Sequence, residues 1–329
     1  MTSGAQPSEI DVTVVIPTMG RPTLTRAIET AARQDGVRTW VVVMVDGRRT
    51  DGSSIVVPEG CTNVAIVVDG DARGGAHLRH SGTARATSRF VAYLDDDDYW
   101  VSDKLQRQLE VALRSPQPDR VVIGSRIRYV NPDGTSTDAP TTLFVEGRVE
   151  DYLFRSRRLS ASRNLMHTST MFASTALAQE SNWDPELTRH QDWDFLVRIA
   201  ALPNVSVIHM PESLAMVGMA EVGGISRSTD WSSSLSWVRQ FRDRWDPKTY
   251  SDFLAGQPLR YALGARSFTG VKETAREFRG APLPSLNNLI LGMSGLASGT
   301  MFRKAMSRSS RSSAADRVED ADSVRRKGA

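Results

Sequence analysis

The amino-acid sequence predicts an α/β fold with a mostly parallel sheet flanked by helices. Four short apolar runs alternate with helical or glycine-rich segments, which is the pattern of parallel strands joined by crossover connections. Polar residues follow three of these runs directly, beginning at Asp46, Asp69 and Asp95. Because open α/β sheets bind ligands at the carboxyl ends of their strands, we expect the functional site at this edge. The four predicted strands cover residues 12–16, 40–45, 64–68 and 90–94.

The segments between and after these strands predict helices and further strands. Pro22 stands where a first helical turn would begin, and apolar residues recur after it at helical spacing. From about residue 225 the apolar residues recur at helical spacing, which predicts a helical C-terminal extension. Further predicted elements are strands at 121–123 and 126–130, a turn at 131–134, a helix at 192–202 and an amphipathic helix from 231 to 245.

Length, charge and cysteine count limit the possible classes. A chain of 329 residues is long enough for two domains, or for one large domain with an extension. The net charge of +3 gives no reason to expect nucleic-acid binding. The single cysteine, Cys61, excludes an internal disulfide, and the first residues lack a signal peptide, so we expect a cytoplasmic protein. The predicted regions are a flexible N-terminus at 1–10, the main domain at 11–225, a helical extension at 226–305 and a disordered basic tail at 306–329.

The run Asp95-Asp96-Asp97-Asp98 is the sharpest feature of the sequence. Carboxylates just past a strand can hold one hard divalent cation and leave positions open for phosphate oxygens. No lysine or arginine follows the run before Lys104, and a cation would relieve the repulsion between the four charges. A solvated acidic turn is the alternative, and the run alone does not decide between the two.

Five segments resemble glycosyltransferase family 2, in the order in which that family carries them. Each segment is weak evidence by itself, but together they span roughly residues 11–215. The segments are the first strand and its loop at 14–24, the loop after the second strand at 45–53, the positions Gly74, Arg79, Gly82 and Ala86, the aspartate run with its flanks at 90–108, and the acceptor-side segment at 183–198.

The resemblance implies a GT-A fold with a Rossmann-like sheet, which moves a sugar from a nucleotide-diphosphate donor, UDP or dTDP favoured, to an acceptor hydroxyl. The acceptor would be a glycan, a glycolipid or another hydroxyl compound in the synthesis of a polysaccharide or other glycoconjugate. It also implies Mg²⁺ or Mn²⁺, bound by Asp95 and Asp97 of the family's DxD motif, which neutralises charge on the leaving diphosphate. The donor-binding residues that it implies are Pro17, Thr18, Arg21, Asp46, Arg79, Asp95 and Asp96.

Each of these assignments has an alternative when the residues are taken without the family. Asp46 precedes a glycine, which is typical of a turn aspartate. Arg79 could be an ordinary surface arginine. Asp96 and Asp98 could position the metal ligands without binding the metal themselves, or they could lie at the surface.

Asp192 matches the family's catalytic base and would take the proton from the acceptor hydroxyl as that hydroxyl attacks the anomeric carbon. This single displacement would invert the anomeric configuration. Helix capping is the alternative for Asp192, and Asp194 is the nearest competitor for the base. Three positions depart from the family pattern: Gly47 replaces a second acid, His80 an asparagine and Gln191 a glutamate.

The C-terminal third lies outside the resemblance. Residues 280–302 carry no charge but contain prolines, glycines and asparagines, and Arg303-Lys304 follow. The alternatives are packing against the main domain, peripheral contact with an anionic membrane and a membrane span. Arginines 155, 157, 158 and 163 suggest an anionic acceptor or simple solvation. His209 is either a late metal ligand or a loop histidine.

Other classes of protein fit the sequence less well. A sugar nucleotidyltransferase should carry a glycine-rich basic loop after the first strand, which residues 17–21 do not supply. A metal-dependent phosphohydrolase would not need Asp46 or Asp192 in their contexts. A catalytically inactive nucleotide-sugar-binding or scaffold protein is the remaining alternative, and the retained Asp97 and Asp192 count against it.

Overall fold

The computed structural model describes residues 10–155, 164–218 and 229–296. The chain divides into two compact units, the first formed by residues 1–149 and 164–225 and the second by residues 150–163 and 226–329. Residues 1–9 of the predicted N-terminal segment and the whole predicted tail lie outside the described residues. The same holds for Arg157, Arg158 and Arg163.

The first unit is built on one sheet, in which the described residues form nine strands in the spatial order β3-β2-β1-β4-β8-β6-β9-β5, with β7 paired to β6. The first four strands along the chain are mutually parallel, whereas β5, β7 and β8 run in the opposite direction to the others. The α/β prediction is therefore confirmed, with a mixed sheet. The strands are β1 (Val12–Thr18), β2 (Thr39–Asp46), β3 (Val64–Asp69), β4 (Phe90–Tyr93), β5 (Asp98–Trp100), β6 (Val121–Val130), β7 (Ser136–Ala139), β8 (Phe172–Ser174) and β9 (Ser206–Gly218).

Apolar, largely β-branched runs explain the centre of the sheet. β1 is buried along its whole length and β2 along all but one residue, as expected of parallel strands covered on both faces. The two strands predicted at 121–123 and 126–130 are one continuous strand, β6, and that part of the prediction is wrong. The register of β6 against β9 shifts between Ser125 and Ile127, so the polar break in the sequence marks an irregularity inside the strand.

Helices cover this sheet, and glycine allows one of them a close approach. A Cβ atom at Gly82 of α2 would overlap the Val15 side chain of β1. α6 begins at Gln191, after His190 turns the chain with a φ of 60°. The helices of the first unit are α1 (Leu24–Ala32), α2 (Gly75–Arg85), α3 (Lys104–Arg114), α5 (Thr175–Ser181) and α6 (Gln191–Ala200).

The second unit is helical in its described part, and aromatic side chains fill its core. The helix predicted for 231–245 ends at Arg239, so that boundary was wrong; Phe241 and Trp245 stack on each other in the turns beyond it. Asp246 caps the next helix, accepting a hydrogen bond from Lys248 N at 2.8 Å. The helices are α4 (Val149–Phe154), α7 (Trp231–Arg239), α8 (Pro247–Leu254), α9 (Arg260–Gly264), α10 (Phe268–Glu277) and α11 (Leu286–Met293).

Among the described residues, no helix combines the length and the apolar character that a membrane crossing requires.

The packing of α2 on β1 gives a stability prediction. We expect Gly82→Ala to lower the free energy of unfolding by about 1–3 kcal/mol, because overpacking at Val15 outweighs the gain in helix propensity. Urea unfolding of the full chain measures the change. Gly70→Ala is the control, since a Cβ there meets nothing within 4 Å. Equal stability of the two variants would contradict the close-packing argument.

Candidate functional site

The loops after β1 and β4 meet at the carboxyl edge of the sheet. Thr18, the last residue of β1, donates a hydrogen bond from Oγ1 to Asp96 Oδ2 at 2.6 Å, and both side chains are buried. The same hydroxyl accepts from Gly20 N at 2.9 Å, which fixes the start of the loop. Pro17 lies in β1, opposite Met44 of β2. Burial raises the pKa of Asp96, against the opposing effects of Thr18 and Arg21.

Arg21 neutralises part of the aspartate run. Its Nη1 donates to Asp96 Oδ1 at 3.0 Å and to Asp97 Oδ2 at 2.6 Å, and the Asp97 side chain is exposed. No lysine or arginine follows the run in the sequence before Lys104, but the fold brings Arg21 to it from the loop after β1. Repulsion between the four aspartates is therefore reduced, because each of the first three has a cationic partner.

Arg79 is the partner of Asp95 and is buried, with 8% of its surface exposed, so it is not a surface arginine. Its Nη2 donates to Asp95 Oδ1 at 2.5 Å, and its Nη1 donates to Gln191 Oε1 at 2.9 Å. The guanidinium also lies over the Trp183 ring, 5.1 Å from the centroid. Burial raises the pKa of Asp95, but the charges of Arg79 and His167 outweigh it, and the net pKa is lowered.

Gln191 and Trp183 hold this arginine in place. The Gln191 amide accepts from Arg79 and also donates from Nε2 to Leu187 O at 3.0 Å, which a glutamate at this position could not do. Trp183 stacks on Phe195 of α6, with ring centroids 4.2 Å apart. His80 contacts Trp183 through Nδ1, which lies 2.8 Å from the Trp183 carbonyl oxygen, so it makes a local hydrogen bond.

Asp95, Asp98 and His167 form a group that could hold a metal ion. One ligand atom from each lies within 4.8 Å of the others. Ser169 donates to Asp98 Oδ2 at 2.5 Å, and its hydroxyl accepts from Asp95 N at 3.1 Å. Burial raises the pKa of Asp98 to about 7, although His167 opposes the shift.

Two carboxylates with one imidazole suit Mn²⁺, and the carboxylates suit Mg²⁺, so the donor set fits the cations expected from the sequence. Asp97, which the sequence analysis assigns to the metal, is not part of this group; its assignment stays a prediction. His167 and Ser169 were not singled out from the sequence. Nothing in their local pattern marks them, because only the pairing of β4 with β8 brings their segment beside the aspartates.

Asp46 ends β2 and stands in register with Asp69 at the end of β3. Its carboxylate is buried and accepts from Arg48 N at 3.1 Å, as a turn aspartate does. Gly47 N donates to Asp69 O at 2.9 Å, and a Cβ at Gly47 would lie 2.8 Å from that oxygen. The tight junction of the two loops therefore requires a glycine at 47.

Asp69 supplies a second acid beside Asp46, from the neighbouring strand. Its Oδ2 accepts from Ser81 Oγ at 3.2 Å and lies 3.3 Å from His77 Nε2. Asp69 stands at the end of a predicted strand, without a predicted role. The strand register, which the sequence does not reveal, puts it next to Asp46.

Asp192 lies in the first turn of α6 and is partly exposed. Burial raises its pKa, and the nearby His167 and Arg79 oppose this without reversing it, so the carboxylate is a stronger base than usual. His190, not Asp192, is the residue that precedes the helix. Asp194 is buried, and its Oδ2 accepts from Arg198 Nε at 2.7 Å. Of the two, Asp194 is bound by Arg198, whereas Asp192 has the raised pKa.

His209 lies inside β9, opposite Gly124, rather than in a loop. Burial lowers its pKa to about 4. Its Nδ1 accepts a hydrogen bond from Phe144 N at 3.2 Å. Within the described residues it is not a member of the Asp95 group.

Comparison with known proteins identifies relatives of this chain. Residues 13–177 match the family model described as Glycosyl transferase family 2. The amylovoran biosynthesis glycosyltransferase AmsB of Erwinia amylovora is 26% identical over 282 residues, which are 82% of this chain and 91% of AmsB. A second relative is the UDP-Glc:alpha-D-GlcNAc-diphosphoundecaprenol beta-1,3-glucosyltransferase WfgD of Escherichia coli, 26% identical over 106 residues, which are 32% of this chain and 42% of WfgD.

Solved structures show a similar fold. S. aureus TarS 1-349 in complex with UDP-GlcNAc superposes with a TM-score of 0.61 at 18% identity, covering 83% of this chain and 82% of that one. This likeness confirms the predicted GT-A type of fold. The family model covers half of the sequence, and it includes β1, β2 and the aspartate run. The chain therefore belongs to glycosyl transferase family 2 and is a glycosyltransferase.

Proposed function

We propose that this glycosyltransferase is metal-dependent and inverting, and that it moves a sugar from a UDP or dTDP donor to an acceptor hydroxyl in the synthesis of a polysaccharide, glycolipid or other glycoconjugate. The observation that carries the proposal is the Arg79 bridge, which joins Asp95 of the acidic loop to Gln191, the residue before Asp192. The groups proposed to bind the sugar donor and those proposed to act on the sugar acceptor thus belong to one hydrogen-bonded unit.

The relatives support the choice of substrates. AmsB is named for amylovoran biosynthesis, WfgD for transfer from UDP-Glc to a GlcNAc-diphospholipid, and the TarS structure contains UDP-GlcNAc. We extend from them a nucleotide-sugar donor and a glycan or glycolipid acceptor to this chain. We also propose a cytoplasmic location, in line with a single cysteine that is buried and free.

The donor would lie along the carboxyl edge of the sheet. Asp46 is proposed to accept the ring N–H of uracil or thymine, with Asp69 as the neighbouring acid. The guanidinium groups of Arg21 and Arg79 lie beside the acidic loop at this edge, where they suit diphosphate oxygens. Pro17, Thr18 and Asp96 would shape the nucleoside side of the site.

Asp95 and Asp97 are proposed to hold Mg²⁺ or Mn²⁺, with Asp98 and His167 beside Asp95 as further candidate ligands. When bound, the cation neutralises charge that grows on the leaving diphosphate. Arg79 keeps Asp95 ionised, because it holds the pKa of that carboxyl low. Asp95 is therefore ready to receive a cation without first losing a proton.

Asp192 is proposed as the base. Its raised pKa suits removal of the proton from an acceptor hydroxyl, whose oxygen then bonds to the anomeric carbon as the bond to the diphosphate breaks. Attack from the face opposite the diphosphate inverts the anomeric centre. Asp194, the other candidate for the base, accepts a hydrogen bond from Arg198.

Nucleotide binding tests the proposed donor. We expect calorimetry with Mn²⁺ to show UDP or dTDP binding at least about tenfold more tightly than CDP, since a carboxylate at a strand end recognises the ring N–H of uracil or thymine, which cytosine lacks. EDTA should weaken the binding, and so should Asp46→Ala, whereas Asp133→Ala in an exposed turn serves as the unchanged control. If UDP, dTDP, GDP and CDP all failed to bind, both with Mn²⁺ and with EDTA, the result would contradict the proposed function.

Cation binding separates the candidate ligands. We expect Asp97→Asn to weaken Mn²⁺ binding about tenfold or more, measured by electron paramagnetic resonance in the presence of UDP, because a ligand charge is lost. His167→Gln and Asp98→Asn report on the alternative group, with melting temperatures recorded for every variant. Normal affinity in Asp97→Asn together with a loss in His167→Gln would move the site to Asp95, Asp98 and His167.

The base assignment is tested by turnover. We expect Asp192→Asn to reduce kcat about 10²–10⁴-fold while nucleotide binding is unchanged, because the amide cannot accept the proton. Nucleoside diphosphate release is measured with a panel of acceptors that includes a GlcNAc-diphospholipid. Asp194→Asn is the comparison. A larger loss of kcat in Asp194→Asn at unchanged melting temperature would transfer the role to Asp194, and full activity of Asp192→Asn would exclude it as the base.

A further inference from the structure

Lys104 is a buried lysine with no part in the proposed donor, cation or base sites. It is the first residue of α3, and its surface is 0% exposed. Its Nζ donates a hydrogen bond to Gln108 Oε1 at 2.6 Å, one turn further along the helix, and lies 4.0 Å from the centroid of the Trp100 ring. Burial lowers the pKa of Lys104 well below its ordinary value, and no carboxylate among the described residues opposes this. Because a lysine is rarely buried completely without an acidic partner, its place in the core requires a reason.

The Lys104 amine fixes the orientation of the Gln108 amide. Gln108 is also completely buried, and its Nε2 donates to Thr170 O at 2.8 Å and to Ile123 O at 3.5 Å. A side-chain amide has a donor end and an acceptor end, so its direction decides which neighbours it can bind. The amine binds the oxygen and thereby turns the nitrogen towards the two carbonyl groups. Without the amine, a flipped amide would place its oxygen against the Thr170 carbonyl oxygen.

Trp100 of β5 holds the same segment through a neighbouring carbonyl group. Residues Thr168–Thr170 form one turn of 3-10 helix, which we call the Ser169 turn. Trp100 Nε1 donates to Ser169 O at 2.7 Å, and Gln108 Nε2 donates to the next carbonyl oxygen of the turn. Lys104 lies against both donors, since its amine contacts the Gln108 amide and the Trp100 ring. One buried amine thus supports both of these hydrogen bonds to the turn.

The Ser169 turn contacts both ends of the aspartate run. Ser169 Oγ donates to Asp98 Oδ2 at 2.5 Å and accepts from Asp95 N at 3.1 Å. The turn is therefore held from one side by α3 and β5 and holds the aspartate run on the other. Asp95 belongs to both candidate cation sites, the one with Asp97 and the one with Asp98 and His167. The turn consequently acts on the cation site whichever of the two binds the ion.

We propose that Lys104 is a positioning residue for the cation site and acts on it through the Ser169 turn. Gln108 and Trp100 transmit its contacts to the turn, and Ser169 transmits them to the aspartate run. This role rests on the proposed metal dependence and goes beyond it, because Lys104 is buried and reaches the site only through other side chains. Side chains that orient metal ligands without binding the metal commonly change its affinity about 10–100-fold.

Mn²⁺ binding to the full-length protein tests this role in a double-mutant cycle, measured by electron paramagnetic resonance in the presence of UDP. We expect Lys104→Met to raise the Mn²⁺ dissociation constant about tenfold, because methionine fills similar space but donates no hydrogen bond. Ser169→Ala should raise it about as much, because both contacts with the aspartate run are lost. The double variant should also bind about tenfold more weakly than wild type, rather than about a hundredfold, since both changes release the same turn.

Thr13→Val is the matched control for the loss of a buried hydrogen bond. Thr13 Oγ1 lies 2.6 Å from Ser88 Oγ, and both side chains are buried. Thr13 stands near the amino-terminal end of β1, opposite Val91 of β4 rather than beside the aspartate run. This variant should lower the melting temperature and leave Mn²⁺ affinity unchanged. Gln108→Met breaks the link to Lys104 from its other end and should reproduce the loss of affinity, which decides the matter if Lys104→Met does not fold.

Unchanged Mn²⁺ affinity in folded Lys104→Met, or in Gln108→Met if the first variant does not fold, would overturn the positioning role. Additive losses in the double variant with Ser169→Ala would also overturn it, because Lys104 would then not act through the turn. A wild-type protein that binds no Mn²⁺ with UDP would contradict the proposed metal dependence and this role together. Failure of the proposed function is therefore seen in the wild type, and failure of the positioning role alone is seen in the variants.

Discussion

The buried guanidinium of Arg79 is the interaction on which the site of this glycosyltransferase depends. It spans Asp95, which follows the β4 strand, and Gln191, which opens α6, two positions far apart in the sequence. A buried charge is stable only with partners, so each of the three side chains fixes the other two. Trp183, packed under the guanidinium, and Phe195, stacked on Trp183, connect the bridge to the core. The bridge connects the acidic loop to the helix that carries Asp192.

The sequence predicts the frame of this arrangement because the frame has local causes. Runs of β-branched residues make the parallel strands, and the polar residues that end them fall at one edge of the sheet. The site partners have no such local cause. Arg21 reaches Asp97 across 76 positions, and Asp69 meets Asp46 only through strand register. Sequence patterns indicate which groups are available, whereas the fold decides which of them meet.

The C-terminal unit shows the limit of periodicity as evidence. Phe241 and Trp245 continue the helical spacing of α7, yet the helix ends at Arg239 and the two rings stack in the turns that follow. Packing of aromatic side chains outweighs the weak local preference for helix here. α11 makes the opposite point, since its apolar residues follow the helical period but face the solvent. Periodicity predicts which residues share a face, but the burial of Asn288 and Gly292 shows that the face opposite the apolar residues is the inner one.

The junction of the β2 and β3 loops limits which side chains can be placed beside Asp46. A side chain at Gly47 would collide with the Asp69 carbonyl, so an acid could be placed there only if both loops were rebuilt together. A single substitution at Asp69 disturbs no such backbone contact, because the side chain points to Ser81 and His77. A new side chain beside Asp46 can therefore be introduced from β3 by one substitution, but from position 47 only with a change of backbone.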